Sequence, residues 1–320
     1  MTGHNKFARN RGHAIGIDIG GTKIEIIAFG PGAEERLRAR VPTPQGDYEA
    51  TLDTVSALVR EARCKLGCSA SVGIGTPGAV SALTGHIKNS NSTCLNGKPL
   101  KADLEARLGQ PVRIANDANC FTLSEAVDGA ASGHKVVFGV ILGTGVGGGL
   151  VIDSRLVVGA NSICGEWGHN PLPSPRADDL PAPQCYCGRV GCIETYLSGP
   201  GLVRDYRQGS SEMLGAPQIV ARALSGDRHC ETALARYEER LARALATVIN
   251  ILDPDVIVLG GGMSNVARLY ERVPLLWRAH VFSDGIATRL VRNRYGDSSG
   301  VRGAAWLWHE ELLATSGPNQ

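Results

Sequence analysis

Residues 14–29 have the sequence AIGIDIGGTKIEIIAF, in which two segments rich in β-branched residues flank Gly20-Gly21-Thr22-Lys23. Glycines between two such segments indicate a tight β-hairpin, and we expect them to adopt positive φ. Backbone N–H groups of a glycine turn can approach phosphate oxygens closely, and the carboxylate of Asp18, at the end of the first strand, could hold a hydrated Mg²⁺. The hairpin is therefore a candidate phosphate loop; the alternative is a structural turn with a solvated lysine.

A second glycine-rich hairpin is predicted further along the chain. The apolar segment Val136–Leu142 is followed by GTGVGGG and then by a short apolar segment at 150–152. Gly143, Gly145 and Gly148 match G-x-G-x-x-G, but a dinucleotide site requires a helix directly after this loop, and here a strand follows. The sequence G-x-x-x-x-G-K-[ST] of Walker-type sites does not occur. What remains is a pair of β-hairpin phosphate loops that face each other across a cleft.

Periodicity outside the two hairpins alternates between helix and strand. In the first half, helices are predicted at 48–64 and 118–130 and strands at 71–75 and 112–115. In the second half, an apolar stripe predicts a long helix over 234–252, followed by a strand at 255–259 and a last helix at about 301–313.

Two halves that each begin with a glycine-turned hairpin indicate a duplicated α/β fold with a cleft between two domains. We place the boundary near residue 130. Residues 1–130 then form a smaller N-terminal α/β domain, completed by a C-terminal helix at about 300–320, and residues 131–299 form a larger α/β domain that contains the zinc-binding loop proposed below.

Composition excludes several classes of protein. The 320 residues are 43% hydrophobic and 20% charged, and 33 basic against 31 acidic residues give a net charge of +2. Such a chain is neither disordered nor basic enough for nucleic acid to be a main partner. No segment resembles a membrane helix or a secretory signal, so we expect a cytoplasmic protein.

Three of the nine cysteines form a compact group, Cys185, Cys187 and Cys192. With His169 they provide three thiolates and one imidazole, the ligand number and type of a closed tetrahedral Zn²⁺ site. Glycines 188 and 191 allow a tight loop around an ion, whereas the Cys-x-Cys spacing makes an ordinary disulfide awkward. The alternative is a set of reduced, unliganded cysteines in a flexible loop.

The chain resembles the ROK family (repressors, open reading frames and kinases) from about Ile15 to Trp308. The resemblance is carried, in the family's order, by GIDIGGTK, GIGTPG, NDANC, ILGTGVGGG, GEWGH, CYCGRVGCIE and VIVLGGG. It implies an actin-like ATPase (ribonuclease H-like) fold, a homodimer, and an ATP-dependent hexose kinase that uses Mg²⁺ with ATP. The motif C-x-C-G-x-x-G-C-x-E with an upstream G-H is the family's zinc signature.

The resemblance also implies the nucleotide site. Two loops would embrace the ATP phosphates, and a third would lie beside the adenosine. The residues of the first loop are Asp18, Gly20, Gly21, Thr22 and Lys23; those of the second are Gly143, Thr144, Gly145, Gly147 and Gly148; those of the third are Gly260, Gly261 and Gly262.

Phosphoryl transfer to an alcohol needs a carboxylate that orients the hydroxyl and accepts its proton. Asp117 follows an apolar strand and opens a predicted helix, so by itself it could be a helix N-cap. The family's NDAN motif implies that it is the catalytic base. The same resemblance implies that further residues bind the sugar: Asn116, Glu166, His169 and Glu194, with Thr76, Gly78 and Asn91 as pocket walls.

The identity of the sugar rests on two segments. Residues 88–93, KNSNST, and 165–173, GEWGHNPLP, are most similar to bacterial fructokinases of the manno(fructo)kinase type. Fructose, with mannose as a second substrate, is therefore the expected hexose, phosphorylated to the 6-phosphate. N-Acetylglucosamine kinase and glucokinase of the same family are the alternatives.

Two other classes of function remain to be weighed. ROK transcriptional regulators carry an added N-terminal DNA-binding domain, and the roughly 13 residues before the first strand are too few for one. A catalytically inactive sugar-binding module is disfavoured by Asp18 and Asp117. For the kinase, we expect sugar binding to draw the two halves together and exclude water. We also expect the zinc to be structural yet necessary for sugar binding, because four protein ligands leave no open position.

Overall fold

The computed structural model describes residues 12–310, which divide into two compact units. The first comprises the described residues up to Ser124, the segment Val158–Ile163 and the described residues from Ser298 onward; the second comprises Glu125–Val157 and Cys164–Asp297. The sequence places the first boundary near residue 130, whereas the structure divides the chain inside a continuous helix. An uninterrupted helix has no glycine, proline or polar run that marks such a point.

The first unit contains a five-stranded sheet with the strand order β3-β2-β1-β4-β7. β1, β2 and β3 are antiparallel neighbours, and β4 and β7 continue the sheet in parallel from β1. Two short strands, β5 and β6, form a separate ribbon. The elements are β1 Ala14–Ile19, β2 Lys23–Phe29, β3 Glu35–Pro42, α1 Tyr48–Leu66, β4 Ser71–Thr76, β5 Ala79–Val80, β6 Ile87–Lys88, α2 Leu100–Leu108, β7 Val112–Asn116, the start of α3 (Asp117–Val127), and the last helix of the described chain, Ser299–Trp306.

The first predicted hairpin is confirmed, but its backbone differs from the expectation. The N–H of Gly20 donates to the carbonyl oxygen of Lys23 at 2.9 Å and closes the turn between β1 and β2. Neither Gly20 nor Gly21 is among the glycines with positive φ. The requirement at Gly20 is steric, because a Cβ there would lie 2.9 Å from the Lys23 carbonyl oxygen.

The last helix, Ser299–Trp306, packs on β1 and β4 through contacts between backbones. A Cβ at Gly16 or Gly73 would collide with the carbonyl oxygens of Val301 and Ala304, and one at Gly303 would collide with that of Cys120. The sequence predicts this helix at about 301–313, and its final residues lie outside the described chain. Glycine at these positions is what allows the helix to lie directly on the sheet.

The second unit contains a five-stranded sheet with the order β10-β9-β8-β11-β12. Its core surrounds the long helix predicted from the apolar stripe, whose Leu234, Leu241 and Leu245 are fully buried. The elements are β8 Val136–Leu142, β9 Val146–Ile152, β10 Arg155–Leu156, α4 Ile193–Leu197, α5 Gly199–Arg207, α6 Ala216–Leu224, α7 Arg228–Leu252, β11 Val256–Gly260, α8 Arg268–Leu276 and β12 Arg289–Arg292; in chain order the helix Ser299–Trp306 is then α9.

The second hairpin begins its return strand earlier than the sequence indicates. β9 starts at Val146, so residues 147–149 are paired with β8 instead of lying in the loop. A Cβ at Gly148 would lie 2.8 Å from the Trp167 ring, and the indole N–H of Trp167 donates to the Gly147 carbonyl at 3.0 Å. The glycines in this strand therefore make room for the indole.

The backbone contacts of α9 predict a large effect of a single methyl group. We expect Gly73→Ala to lower the free energy of unfolding by about 1–3 kcal/mol or more, since the added Cβ meets the Ala304 carbonyl and neither backbone can shift freely. Thermal unfolding measures this, with Gly285→Ala as the control because nothing lies within 4 Å of a Cβ there. Equal unfolding temperatures for the two variants would contradict the packing described here.

Candidate functional site

Asp18 lies in the first unit with its carboxylate between two glycines. A Cβ at Gly75 would lie 3.3 Å from Oδ1, and one at Gly300 would lie 3.0 Å from Oδ2. Burial and the negative charges of Asp117 and Glu25 raise the pKa of Asp18 to about 7, opposed in part by Lys23. A buried carboxylate with two acidic neighbours is poorly compensated by the protein, which is the situation a bound divalent cation relieves.

Asp117 is the first residue of α3, directly after β7. Its Oδ1 and that of Asn116 both accept from the N–H of Ala118, at 2.8 and 2.9 Å. Desolvation by the surrounding protein raises the pKa of Asp117, and hydrogen bonds to it from the Ala118 N–H and the Asn116 side chain oppose the shift. The capping function considered for Asp117 is thus shared with Asn116.

The structure brings most of the predicted sugar-pocket residues of this unit together. Thr76 pairs with Asn116 in neighbouring strands, and the Asn116 side-chain amide donates to the Gly78 carbonyl at 3.1 Å. Gly78 has φ +80° and contacts the backbone of Ser90. Asn91 is exposed on the loop that follows Ser90.

In the second unit, the predicted loop at Gly143 borders a cavity of about 960 Å³. Of the residues predicted to bind the nucleotide, Gly143, Thr144 and Gly262 line it. The remaining wall comes from the last residue of β8 and from α5, α6 and the turn after β11; the last three carry no recognisable motif. These residues are Leu142, Gly199, Pro200, Val203, Arg204, Arg207, Ala216, Pro217, Val220, Met263, Asn265 and Val266.

Glu194 connects the glycine loop to helix α4. Its Oε2 accepts from the N–H of Val146 at 2.9 Å, and a Cβ at Gly145 would lie 2.6 Å from the same oxygen. This contact was not expected from the sequence, which assigns Glu194 to the sugar alone. One carboxylate oxygen of Glu194 therefore fixes the start of β9.

Glu166 and His169 lie at either end of a short 3₁₀ turn, Trp167–His169, that packs on β9. Trp167 is buried and meets Phe138 edge-on, with ring centroids 6.0 Å apart. Gly165, with φ +94°, brings the backbone of this turn against Gly148. Packing of the indole thus sets the position of both predicted sugar ligands.

The four predicted metal ligands meet in space. The ligand atoms of His169, Cys185, Cys187 and Cys192 all lie within 4.8 Å of one another. Cys187 Sγ is 3.6 Å from Cys192 Sγ, and Cys185 Sγ is 3.6 Å from His169 Nδ1. Ligands of a tetrahedral zinc are about 3.3–3.8 Å apart. All the cysteines of the described chain are free thiols. The donor set and the two distances of 3.6 Å fit a zinc ion.

Backbone hydrogen bonds hold the loop in this shape. The N–H of Cys185 donates to the Arg189 carbonyl at 2.8 Å, and the N–H of Gly188 donates to the Cys185 carbonyl at 3.0 Å. Gly188 and Gly191 both have positive φ, as the predicted tight loop requires. The N–H of Ile193 donates to the carbonyl of Asn170 at 2.8 Å, which joins the loop to the segment after His169.

A buried ion cluster supports the segment between His169 and Cys185. The carboxylate of Asp179 accepts from Arg240 Nε at 2.6 Å and from Arg243 at 2.9 Å. Burial raises the pKa of Asp179, but hydrogen bonds from Arg176, Arg240 and Arg243 bring it below its ordinary value. The arginines of α7 thereby tether this segment, although they belong to no motif.

The structure places one further residue, which the sequence analysis does not single out, next to the predicted sugar ligand His169. Tyr186 lies between Cys185 and Cys187, two of the predicted metal ligands, and places its hydroxyl 3.1 Å from His169 Nε2.

Comparison with known proteins gives consistent matches over nearly the whole chain. The family model described as "ROK family" matches residues 14–311. The N-acetyl-D-glucosamine kinase of Escherichia coli O6:H1 is 44% identical over 300 residues, covering 91% of this chain and 98% of that protein. The same figures hold for the N-acetyl-D-glucosamine kinase of Shigella flexneri.

Solved structures give the same picture. The ROK hexokinase from Thermus thermophilus matches with a TM-score of 0.83 and 30% identity over 94% of this chain and 99% of that one. A ROK family glucokinase from Streptomyces griseus, solved with glucose and AMPPNP, matches with a TM-score of 0.72 and 29% identity over 93% and 100%. Within residues 12–310, no helix is long and apolar enough to cross a membrane.

The raised pKa of Asp18 predicts how stability depends on pH. Since the folded state holds this proton more tightly than the unfolded state, the contribution of Asp18 to the free energy of unfolding falls as pH rises from about 4 to about 7 and then levels off. In Asp18→Asn the ionisable carboxyl group is replaced by an amide, so this pH-dependent contribution is absent. We expect its unfolding temperature, relative to the unsubstituted protein, to rise from about pH 5 to about pH 8, without added magnesium or nucleotide. A difference that does not change with pH would contradict this assignment.

Proposed function

The chain belongs to the ROK family, and we propose that it transfers the γ-phosphoryl group of ATP to N-acetyl-D-glucosamine. It has the actin-like ATPase fold and is an ATP-dependent hexose kinase. The observation that carries the choice of sugar is the 44% identity to N-acetyl-D-glucosamine kinases over 91% of the chain. This replaces the fructose preference drawn from residues 88–93 and 165–173; fructose, mannose and glucose are the alternatives to test.

Asp117 is the proposed general base for the sugar hydroxyl. Asn116 and the N–H of Ala118 fix its carboxylate, and burial raises its pKa, which makes it a better proton acceptor. A positioned base contributes roughly 10²–10⁴-fold to the rate. Asn116 and Gly78, in contact through the asparagine amide, are proposed to hold the sugar beside it.

Glu166, His169 and Glu194 are the proposed sugar ligands of the second unit. Carboxylate oxygens accept hydrogen bonds from sugar hydroxyls, and the N–H of an imidazole donates one. The turn that Trp167 anchors positions the backbone of Glu166 and His169. The hydrogen bond from the Val146 N–H fixes the carboxylate of Glu194. Polar groups that hydrogen-bond a substrate hydroxyl discriminate strongly against sugars that lack it.

The cavity of about 960 Å³ is the proposed adenosine site. Its volume is within the usual range for ligand pockets, and Gly143 and Thr144 at its border would present N–H groups to the phosphates. Gly20–Lys23 forms the second phosphate loop of the proposal. Asp18 would hold Mg²⁺, which when bound neutralises phosphate charge.

The cluster of His169, Cys185, Cys187 and Cys192 is the proposed structural zinc site. All four ligands come from the protein, so the ion would organise the loop and bind no substrate. It would connect the turn of His169 to α4, where Glu194 lies two residues beyond Cys192. A homodimer remains a prediction.

A substrate panel with ATP and Mg²⁺ tests the proposed reaction. We expect the highest kcat/KM with N-acetylglucosamine, followed by glucose, mannose and fructose in an order left open. A higher value for fructose would restore the fructokinase assignment, and the absence of ADP release with every hexose would leave a sugar-binding module.

Asp117→Asn should lower kcat by roughly 10²–10⁴-fold. The exposed Asp284→Asn is the matched control and should have no effect.

Removal of one metal ligand tests the zinc site. Cys187→Ser should lose zinc and bind hexose at least tenfold more weakly, because the loop no longer fixes His169 and Glu194, a loss of the size expected when ligand orientation is disturbed. Nucleotide affinity should be nearly unchanged. Zinc content is measured by mass spectrometry and affinities by calorimetry. Cys64→Ser, at an exposed thiol in the first unit, is the control. Full zinc occupancy in Cys187→Ser would exclude the assignment.

A further inference from the structure

Tyr186 is an exposed aromatic residue whose polar end is nevertheless engaged. Its side chain is 84% exposed. Its ring meets the imidazole of His169 edge-on, with centroids 5.3 Å apart at 83°, and its hydroxyl lies 3.1 Å from Nε2. The exposed ring therefore carries a hydroxyl with a specific partner, the Nε2 atom of His169.

Nε2 is the ring nitrogen of His169 that would bind a sugar, because Nδ1 faces the cysteines. Nδ1 lies 3.6 Å from Cys185 Sγ, on the side of the metal ligands. If Nδ1 binds the ion, the proton of the neutral imidazole is on Nε2, and Nε2–H donates to the oxygen of Tyr186. A sugar hydroxyl that accepts from His169 must accept from the same N–H. The phenol and the sugar therefore need the same hydrogen bond.

The exposed position of the Tyr186 ring allows the hydroxyl to move away from His169. Because the ring is largely exposed, it can leave without disturbing a packed core.

We propose that the hydroxyl of Tyr186 substitutes for a sugar hydroxyl in the ligand-free protein and that hexose must displace it from His169 to bind. This inference rests on the proposed function, since it takes Glu166, His169 and Glu194 as the hexose ligands. Tyr186 is then a residue that sets hexose affinity: it keeps the imidazole oriented and hydrogen-bonded when no sugar is present and lowers affinity when sugar arrives.

The size of the effect follows from the bond that is exchanged. A net hydrogen bond in a protein changes an equilibrium by about two- to tenfold. Phenylalanine retains the ring and its edge-on contact with His169 but has no hydroxyl to compete. Tyr186→Phe should therefore bind hexose about two- to tenfold more tightly than the unsubstituted protein, with the change in the Kd and KM for hexose.

The test uses the full chain with its zinc content measured. Hexose binding is followed by calorimetry with N-acetylglucosamine, or with the hexose that the substrate panel identifies. Tyr48→Phe is the matched control: it removes a phenol hydroxyl that donates to Asp103 Oδ2 at 2.6 Å, in the first unit, and should leave the Kd unchanged.

Each outcome separates the two proposals. A lower Kd for Tyr186→Phe alone, at equal zinc content, supports the exchange. An unchanged Kd shows that the hydroxyl does not compete, and a higher Kd shows that it binds the sugar; either result overturns the inference while the kinase function stands. Absence of hexose binding to the unsubstituted protein overturns the proposed function and the exchange with it.

Discussion

Close approach of backbone to backbone, without an intervening Cβ, is the constraint on which both units depend. In the first unit, Gly16, Gly73 and Gly303 let α9 lie directly on β1 and β4 and against α3. The same helix carries Gly300 to the carboxylate of Asp18. In the second unit, Gly148 and Gly165 do the same for the turn of Glu166 and His169. The glycines thus place the functional side chains indirectly, through the elements they allow to meet.

The two units supply different chemistry. The first contributes two carboxylates with raised pKa values: the charge of Asp117 adds to the desolvation of Asp18, which suits Asp18 to a cation and Asp117 to a proton. The second contributes a cavity beside Gly143 and side chains in fixed positions, namely Glu194 and those of the cysteine loop. Phosphoryl transfer needs little covalent help from the protein, so positioning and charge stabilisation are what such units must provide.

Support for the cysteine loop comes from three independent sources. Its own backbone hydrogen bonds shape it, the arginines of α7 hold the segment before it through Asp179, and the proposed zinc would join its four ligands. Only the last depends on a metal. The backbone hydrogen bonds and Asp179 act on the main chain, whereas the ion would fix the four ligand side chains relative to one another.

Local sequence determined the hairpins, most helices and strands, the glycine loops and the grouping of His169 with three cysteines, because each is encoded by spacing within one part of the chain. It also indicated the family, but similarity over the whole chain favours a different hexose from the one that residues 88–93 suggested. Tertiary structure alone decided that Gly300 contacts Asp18, that α5 and α6 complete the cavity, that Arg240 and Arg243 neutralise Asp179, and that Tyr186 reaches His169 Nε2. These contacts depend on which elements pack together and at what distance. Residues far apart in the sequence form them, so no periodic pattern in the chain indicates them.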